Sequence, residues 1–209
     1  QAGDVTLSKP MTPLEVARAI GHARADEFTL RVVEGWRMEQ IAAALPANGF
    51  DIAPADFLAL AQTAHNAPTI LAAELPPGRS VEGFLFPDTY VFRPDATAAD
   101  VLDALLENFL RRVTPDLRAE AAAQGRSLHE VLTLAAIVER ETAVTDEQPL
   151  IASVYLNRLA IGMKLDADPT VQYAVAQGPE WWKRGLTTAD LAFDSPYNTY
   201  LYTGLPPSP

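Results

Sequence analysis

The sequence predicts an α+β chain: a small strand-and-helix unit, then a mostly helical part with short β segments. Three observations predict it. Phe28-Thr29-Leu30-Arg31-Val32-Val33 alternates and is β-branched, which is strand chemistry. Gly83 to Phe92 is aromatic and broken by Pro87, which fits an edge strand or a short irregular pair. From Thr97 onward, capped helix patterns dominate.

The elements follow in order. Thr12 caps a short helix over Pro13–Ile20, with proline at its first position. After the Phe28–Val33 strand, Arg37–Leu45 and Pro54–His65 read as two helices parted by the Asn48-Gly49 turn. Pro76-Pro77-Gly78 closes this unit. Thr97 caps a helix reaching Val113, and Thr114-Pro115 starts another that stops before Gly125. Ser127 with Glu130 is a capping box for the next. Glu147–Ile161 is helical and ends at Gly162. Asp168-Pro169 opens a helix before Gly178, and Thr187 begins a last short turn.

The composition excludes several functions. With 16 basic and 27 acidic residues the net charge is -11, which argues against nucleic acid or an anionic membrane surface as the partner. The absence of cysteine removes disulfides, thiol nucleophiles and thiolate metal sites. His22, His65 and His129 are far apart, and Thr133 stands where a zinc-protease helix needs its second histidine, so no metal is expected. No phosphate loop, dinucleotide fingerprint or nucleophile elbow occurs, and no cofactor is expected. The apolar run around Leu132–Val138 is far short of the roughly 20 residues of a membrane helix. The polar start and the turn-rich Gly204-Leu205-Pro206-Pro207 end read as a fragment trimmed at both ends.

The strongest chemical signal is Leu134-Ala135-Ala136-Ile137-Val138-Glu139-Arg140-Glu141-Thr142. At about 100° per residue the apolar arc centres on Val131, Ala135 and Val138, with Thr133 and Arg140 on the far side. Glu139 falls inside that arc and Glu141 at its edge. Two residues apart, they point to different sides and form no dyad. A carboxyl at the edge of an apolar face is partly desolvated yet reachable, which suits a general acid. The plainer reading, two solvated or salt-bridged residues at a fraying helix end, stays open on pattern alone. The second signal is Ser195-Pro196-Tyr197-Asn198-Thr199-Tyr200, where rings suit pyranose faces and the amide suits sugar hydroxyls. Ordinary tyrosine packing explains it equally well. Glu82-Gly83-Phe84-Leu85-Phe86-Pro87-Asp88-Thr89-Tyr90 offers a further wall, though an amphipathic strand packing on the helices explains it better. Trp181-Trp182 reads better as an anchor into the core than as a sugar platform.

These segments, in this order, resemble the YceG-like family of membrane-anchored endolytic murein transglycosylases. The matching stretches are Val32–Gly35, Glu82–Tyr90, Ala136–Ala143, Val154–Leu159, Gly162–Val171, Ser195–Tyr200 and Gly204–Pro207. The resemblance implies a LysM-like βα module over 1–80, incomplete at its start. A transglycosylase catalytic domain follows over 81–209, truncated at its end. It implies a membrane anchor outside this stretch and a place in the bacterial cell envelope, on the outer side of the cytoplasmic membrane. The implied partners are peptidoglycan glycan strands, with cell-wall synthases as a further association.

The family's catalytic glutamate lands on Glu141. The implied reaction cuts between N-acetylmuramic acid and N-acetylglucosamine without water. It leaves a 1,6-anhydro end and helps to terminate glycan elongation. Tyr197, Asn198, Tyr200, Asp168, Thr170 and Gln172 are expected to bind the glycan, with Glu139, Glu82 and Asp88 supporting. The alternatives are a lysozyme-like muramidase and a non-catalytic wall-binding or scaffold module.

Overall fold

The computed structural model describes residues 11–16, 27–63, 75, 78–176, 178 and 181–209. Residues 13–16 are helical, and Thr12 exchanges hydrogen bonds with Glu15 at their head. The rest of that expected helix, with His22 and His65, lies outside the described residues.

Strand β1 (Phe28–Arg31) is followed by helices α1 (Met38–Ala47) and α2 (Pro54–Ala61), and strand β2 (Thr89–Phe92) returns antiparallel to β1. The register pairs Phe28 with Phe92 and Leu30 with Tyr90. Helices α3 (Ala98–Arg112), α4 (Pro115–Ala123), α5 (Leu128–Glu141), α6 (Gln148–Ala160), α7 (Asp168–Val175) and α8 (Thr188–Leu191) follow, with a short 3-10 turn over Thr145–Glu147 between α5 and α6. The chain is therefore α+β, with mixed helix and one small two-stranded sheet.

The caps read from sequence form. Thr97, Ser127 and Thr187 each accept from the backbone N–H three residues on, and Asp100, Glu130 and Asp190 bond back to them. Each such cap contributes about 1 kcal/mol. At the turn after α1, Gly49 takes φ +90°, where a side chain would be strained.

Two cores form. The first gathers Leu30, Ile41, Leu45, Phe57, Val81, Phe84, Leu102, Leu105, Leu106 and Leu128, so it draws on residues both before and after residue 80. Phe50 sits edge-on between Phe28 and Phe92, with ring centroids 5.2 and 5.6 Å away. The second core gathers Leu134, Ile137, Val138, Tyr155, Leu165 and Ala167.

Helix α5 touches both cores, and this corrects the arc expected from periodicity. Thr133, expected on the far side, is 1% exposed, while Ala135, expected at the centre, is exposed. The single-arc assumption fails because one end of the helix packs on the first core and the other on the second. Thr133 tolerates burial because its hydroxyl donates to the His129 carbonyl at 2.7 Å. Glu139, expected inside the arc, is exposed, and its Oε2 accepts from Gln148 at 3.3 Å.

Among the described residues no helix is long and apolar enough to cross a membrane.

Candidate active site

Helix α5 delivers Glu141 at its last turn. Val138 and Ile137, three and four residues earlier, are buried in the second core, and they fix the rotation of the helix end. Glu141 itself is exposed rather than half-desolvated. It opens onto a cleft of about 340 Å³ lined by Ile151, Val154, Tyr155, Arg158, Asp166, Asp168 and Tyr200. Four chain segments meet there: the end of α5, one face of α6, the turn into α7 and the 198–200 loop.

Tyr155, 7% exposed on α6, donates its hydroxyl to Glu141 Oε1 at 2.6 Å. Burial, then the bond to Glu141, push the Tyr155 hydroxyl well above its ordinary range, so it stays a donor. Tyr200 donates to Asp168 Oδ1 at 2.7 Å. Burial and that bond push Tyr200 up to about 12. Asp166 takes φ +48°, a left-handed backbone that aspartate accepts more readily than most residues. That bend lets Leu165 and Ala167, both 0% exposed, point into the core on either side while Asp166 lines the cleft. The Arg158 guanidinium donates to the Leu165 carbonyl and pins the same turn.

Of the residues expected from sequence, the structure brings Glu141, Asp168 and Tyr200 together. Asn198 is 0% exposed, and its amide donates to the Leu191 and Phe193 carbonyls at 3.0 and 2.8 Å while its Oδ1 accepts from the Tyr200 N–H at 3.0 Å. It shapes the loop that carries Tyr200. Thr170 is buried, bonding the Ala167 carbonyl and the Thr199 hydroxyl. Gln172 is half-buried further along α7. Tyr197 packs on the Tyr173 ring at 4.7 Å and bonds Ser208, away from the residues lining the cleft.

Glu82 and Asp88 also lie elsewhere. Glu82 is buried against Tyr173 and Met38. Asp88 accepts from the Thr89 N–H at 2.8 Å, then from Asn108 at 3.1 Å and Arg112 at 3.3 Å, and these bonds, in that order, hold its carboxyl below the ordinary range. Trp182, expected as an anchor into the core, is half-buried and belongs to neither core: its indole donates to Gln40, and Arg140 lies 4.0 Å over its ring. Sequence reasoning missed Tyr155, Arg158 and Asp166. They sit within stretches that carry the family resemblance, yet only folding shows that they face Glu141.

On the other side of the same helix end, Glu139 and Arg140 line a mostly apolar groove of about 320 Å³ with Trp36, Phe86, Tyr173 and Trp182. Gly35, at φ +73°, lets the β1–α1 turn approach there, since an added Cβ would lie 3.2 Å from Arg140 Cδ. Among the described residues no group of three or more His, Cys, Asp or Glu is arranged to hold a metal.

The chain is similar to several known proteins. An endolytic murein transglycosylase of Bacillus subtilis is 38% identical over 130 residues, covering 62% of this chain and 35% of the relative. One of Streptococcus pneumoniae strain D39 is 30% identical over 234 aligned positions, covering 100% of this chain and 42% of the relative. The chain thus spans less than half the length of these curated relatives. The crystal structure of a YceG-like protein of Listeria monocytogenes superposes with a TM-score of 0.76 at 30% identity, covering 100% of this chain and 71% of that one. The YceG-like family model matches residues 1–209, and with the shared fold this makes the chain a member of the YceG-like family.

Proposed function

We propose that this chain carries the glycan-cutting site of an endolytic murein lytic transglycosylase, with Glu141 as its acid and base. The observation that carries the reading is the cleft. Glu141 stands at its wall with one oxygen held by Tyr155, and Oε2 takes no bond among the described residues. The names of the curated relatives supply the substrate class.

In this mechanism Glu141 donates its proton to the glycosidic oxygen between N-acetylmuramic acid and N-acetylglucosamine. The bond to the anomeric carbon breaks, and the N-acetylglucosamine side leaves as an alcohol. The C6 hydroxyl of the muramic acid attacks the same carbon and returns its proton to Glu141. One carboxylate serves both steps because the nucleophile belongs to the substrate, whereas hydrolases need a second to activate water or form a covalent sugar. Tyr200 and Asp168 offer a ring and a hydrogen-bonded polar edge to the glycan.

β1, α1 and α2 fall within the LysM-like module proposed over 1–80, which would hold the glycan strand, while β2, the partner of β1, lies beyond that bound. In the whole protein the site faces outward from the cytoplasmic membrane, where cutting nascent strands ends their elongation beside the synthases. Digesting purified glycan strands and weighing the products tests the reaction. Ends lighter by one water support a transglycosylase, reducing ends mean a muramidase, and binding without cutting means a wall-binding module.

A further inference from the structure

Among the described residues Glu82 is the one carboxylate that is buried, at 6% exposure. Burying a carboxylate is unfavourable unless each oxygen finds a donor. Here each does. Oε1 accepts the Met38 N–H at 2.9 Å, at the first turn of α1, and Oε2 accepts the Tyr173 hydroxyl at 2.5 Å, on α7. One side chain thus ties the strand-and-helix unit to the helix that forms a wall of the Glu141 cleft.

The joint is reinforced from the same side. The Arg37 guanidinium lies 4.1 Å over the Tyr173 ring, and its Nη1 donates to the Tyr173 and Trp181 carbonyls at 3.2 and 3.4 Å. Tyr173 is five residues from Asp168, roughly 7.5 Å along the helix axis. At that other end, Asp168 accepts the Tyr200 hydroxyl and Thr170 bonds the Thr199 hydroxyl at 2.9 Å. A rigid helix therefore links the buried pair to the two residues facing Glu141.

We infer that Glu82 and Tyr173 form a positioning clasp for the Glu141 cleft, setting the seat of α7 and through it the placement of Asp168 and Tyr200. Neither residue lines that cleft, so both act through the helix. Burial disfavours the charged form of both groups and pushes both pKa values up, so the Tyr173 phenol remains a donor at neutral pH. An apolar pair would join the two units without the desolvation penalty. It would lack the directional bond that fixes the rotation of α7.

The inference rests on the cleft being the cutting site, and its test separates the two. Tyr173→Phe keeps the ring and removes the donor, while Glu82→Gln keeps the shape and removes the charge. Each variant, and the double variant, is checked for folding by thermal melting. Glycan-cutting kinetics and amide exchange over residues 164–176 are then measured. The clasp predicts faster exchange there and a drop of about tenfold in kcat with KM little changed. It also predicts a double variant no worse than the worse single, because the two residues act as a unit. Variants that melt lower yet keep wild-type kcat and wild-type exchange would overturn it. If the wild type cuts no glycan, the proposed function fails by itself. Exchange over 164–176 then decides alone: faster exchange supports the clasp and unchanged exchange overturns it.

Discussion

The Tyr155 hydroxyl donates to Glu141 Oε1 at 2.6 Å, from the helix that follows the one carrying the glutamate. The bond spans the turn between α5 and α6 and holds one oxygen of the carboxylate. Replacing Tyr155 with phenylalanine keeps the ring in the second core and removes only that restraint. Glycan cutting should fall about tenfold, the scale of a lost hydrogen bond to a charged group. Steady-state kinetics against wild type measures it, and an unchanged kcat/KM would show that Glu141 needs no such restraint.

Glu141→Gln should abolish cutting and leave the fold intact. The side chain is exposed, and the glutamine carbonyl still accepts from Tyr155, so little packing is lost. The amide has no proton to transfer, and general acid–base groups contribute typically about 10²–10⁴-fold. Glu139→Gln is the matched control, since Glu139 lines the opposite groove. A larger loss from Glu139→Gln than from Glu141→Gln would reverse the assignment.

Asn198→Ala should destabilise the protein by about 1 kcal/mol, because the buried amide that ties the Leu191 and Phe193 carbonyls together is lost. Activity should fall with it, since the Tyr200 N–H loses its acceptor. Urea unfolding gives the stability. An unchanged midpoint with weakened glycan binding would mean that the amide meets sugar rather than its own loop.

Glu82 makes stability depend on pH. Burial raises its carboxyl above the ordinary range, against bonds from Tyr173 and Met38 that lower it, with Glu39 raising and Arg37 lowering it further. The native state therefore keeps this proton at pH values where the unfolded chain has released it. The penalty is absent below the unfolded value of about 4.3, grows as pH rises, and is complete above the native value. Glu82→Gln should flatten this contribution between pH 4 and pH 7. Paired urea curves at the two pH values check it, and equal slopes for variant and wild type would refute it.

The parts legible in sequence were those set by near neighbours. Thr97, Ser127 and Thr187 announce their helices because a cap and its partner lie three residues apart. Glu141 is singled out by the family resemblance; the spacing of Ile137 and Val138 gives only its place at the helix end, and the partial burial expected there is absent because the side chain is exposed. The face of α5 was not legible, because a periodicity reading assumes one core and this helix serves two. Asn198 looked like a sugar ligand because an amide in a loop has the same letters whether it bonds hydroxyls or carbonyls. The Glu82–Tyr173 bond joins residues 91 positions apart, and no local pattern carries it.

The pairing of Phe28 with Phe92 sets an order for folding. β1 is made early, but its partner arrives only after α1, α2 and the long connection have been synthesised. Until then β1 is an open edge able to pair with another chain, and closing so distant a contact is slow. Early chains are thus exposed to misassembly in a way that the helices, with their local bonds, are not. Pulse-labelled exchange during refolding should find the α5 and α6 amides protected before those of β1 and β2, and the reverse order would contradict this.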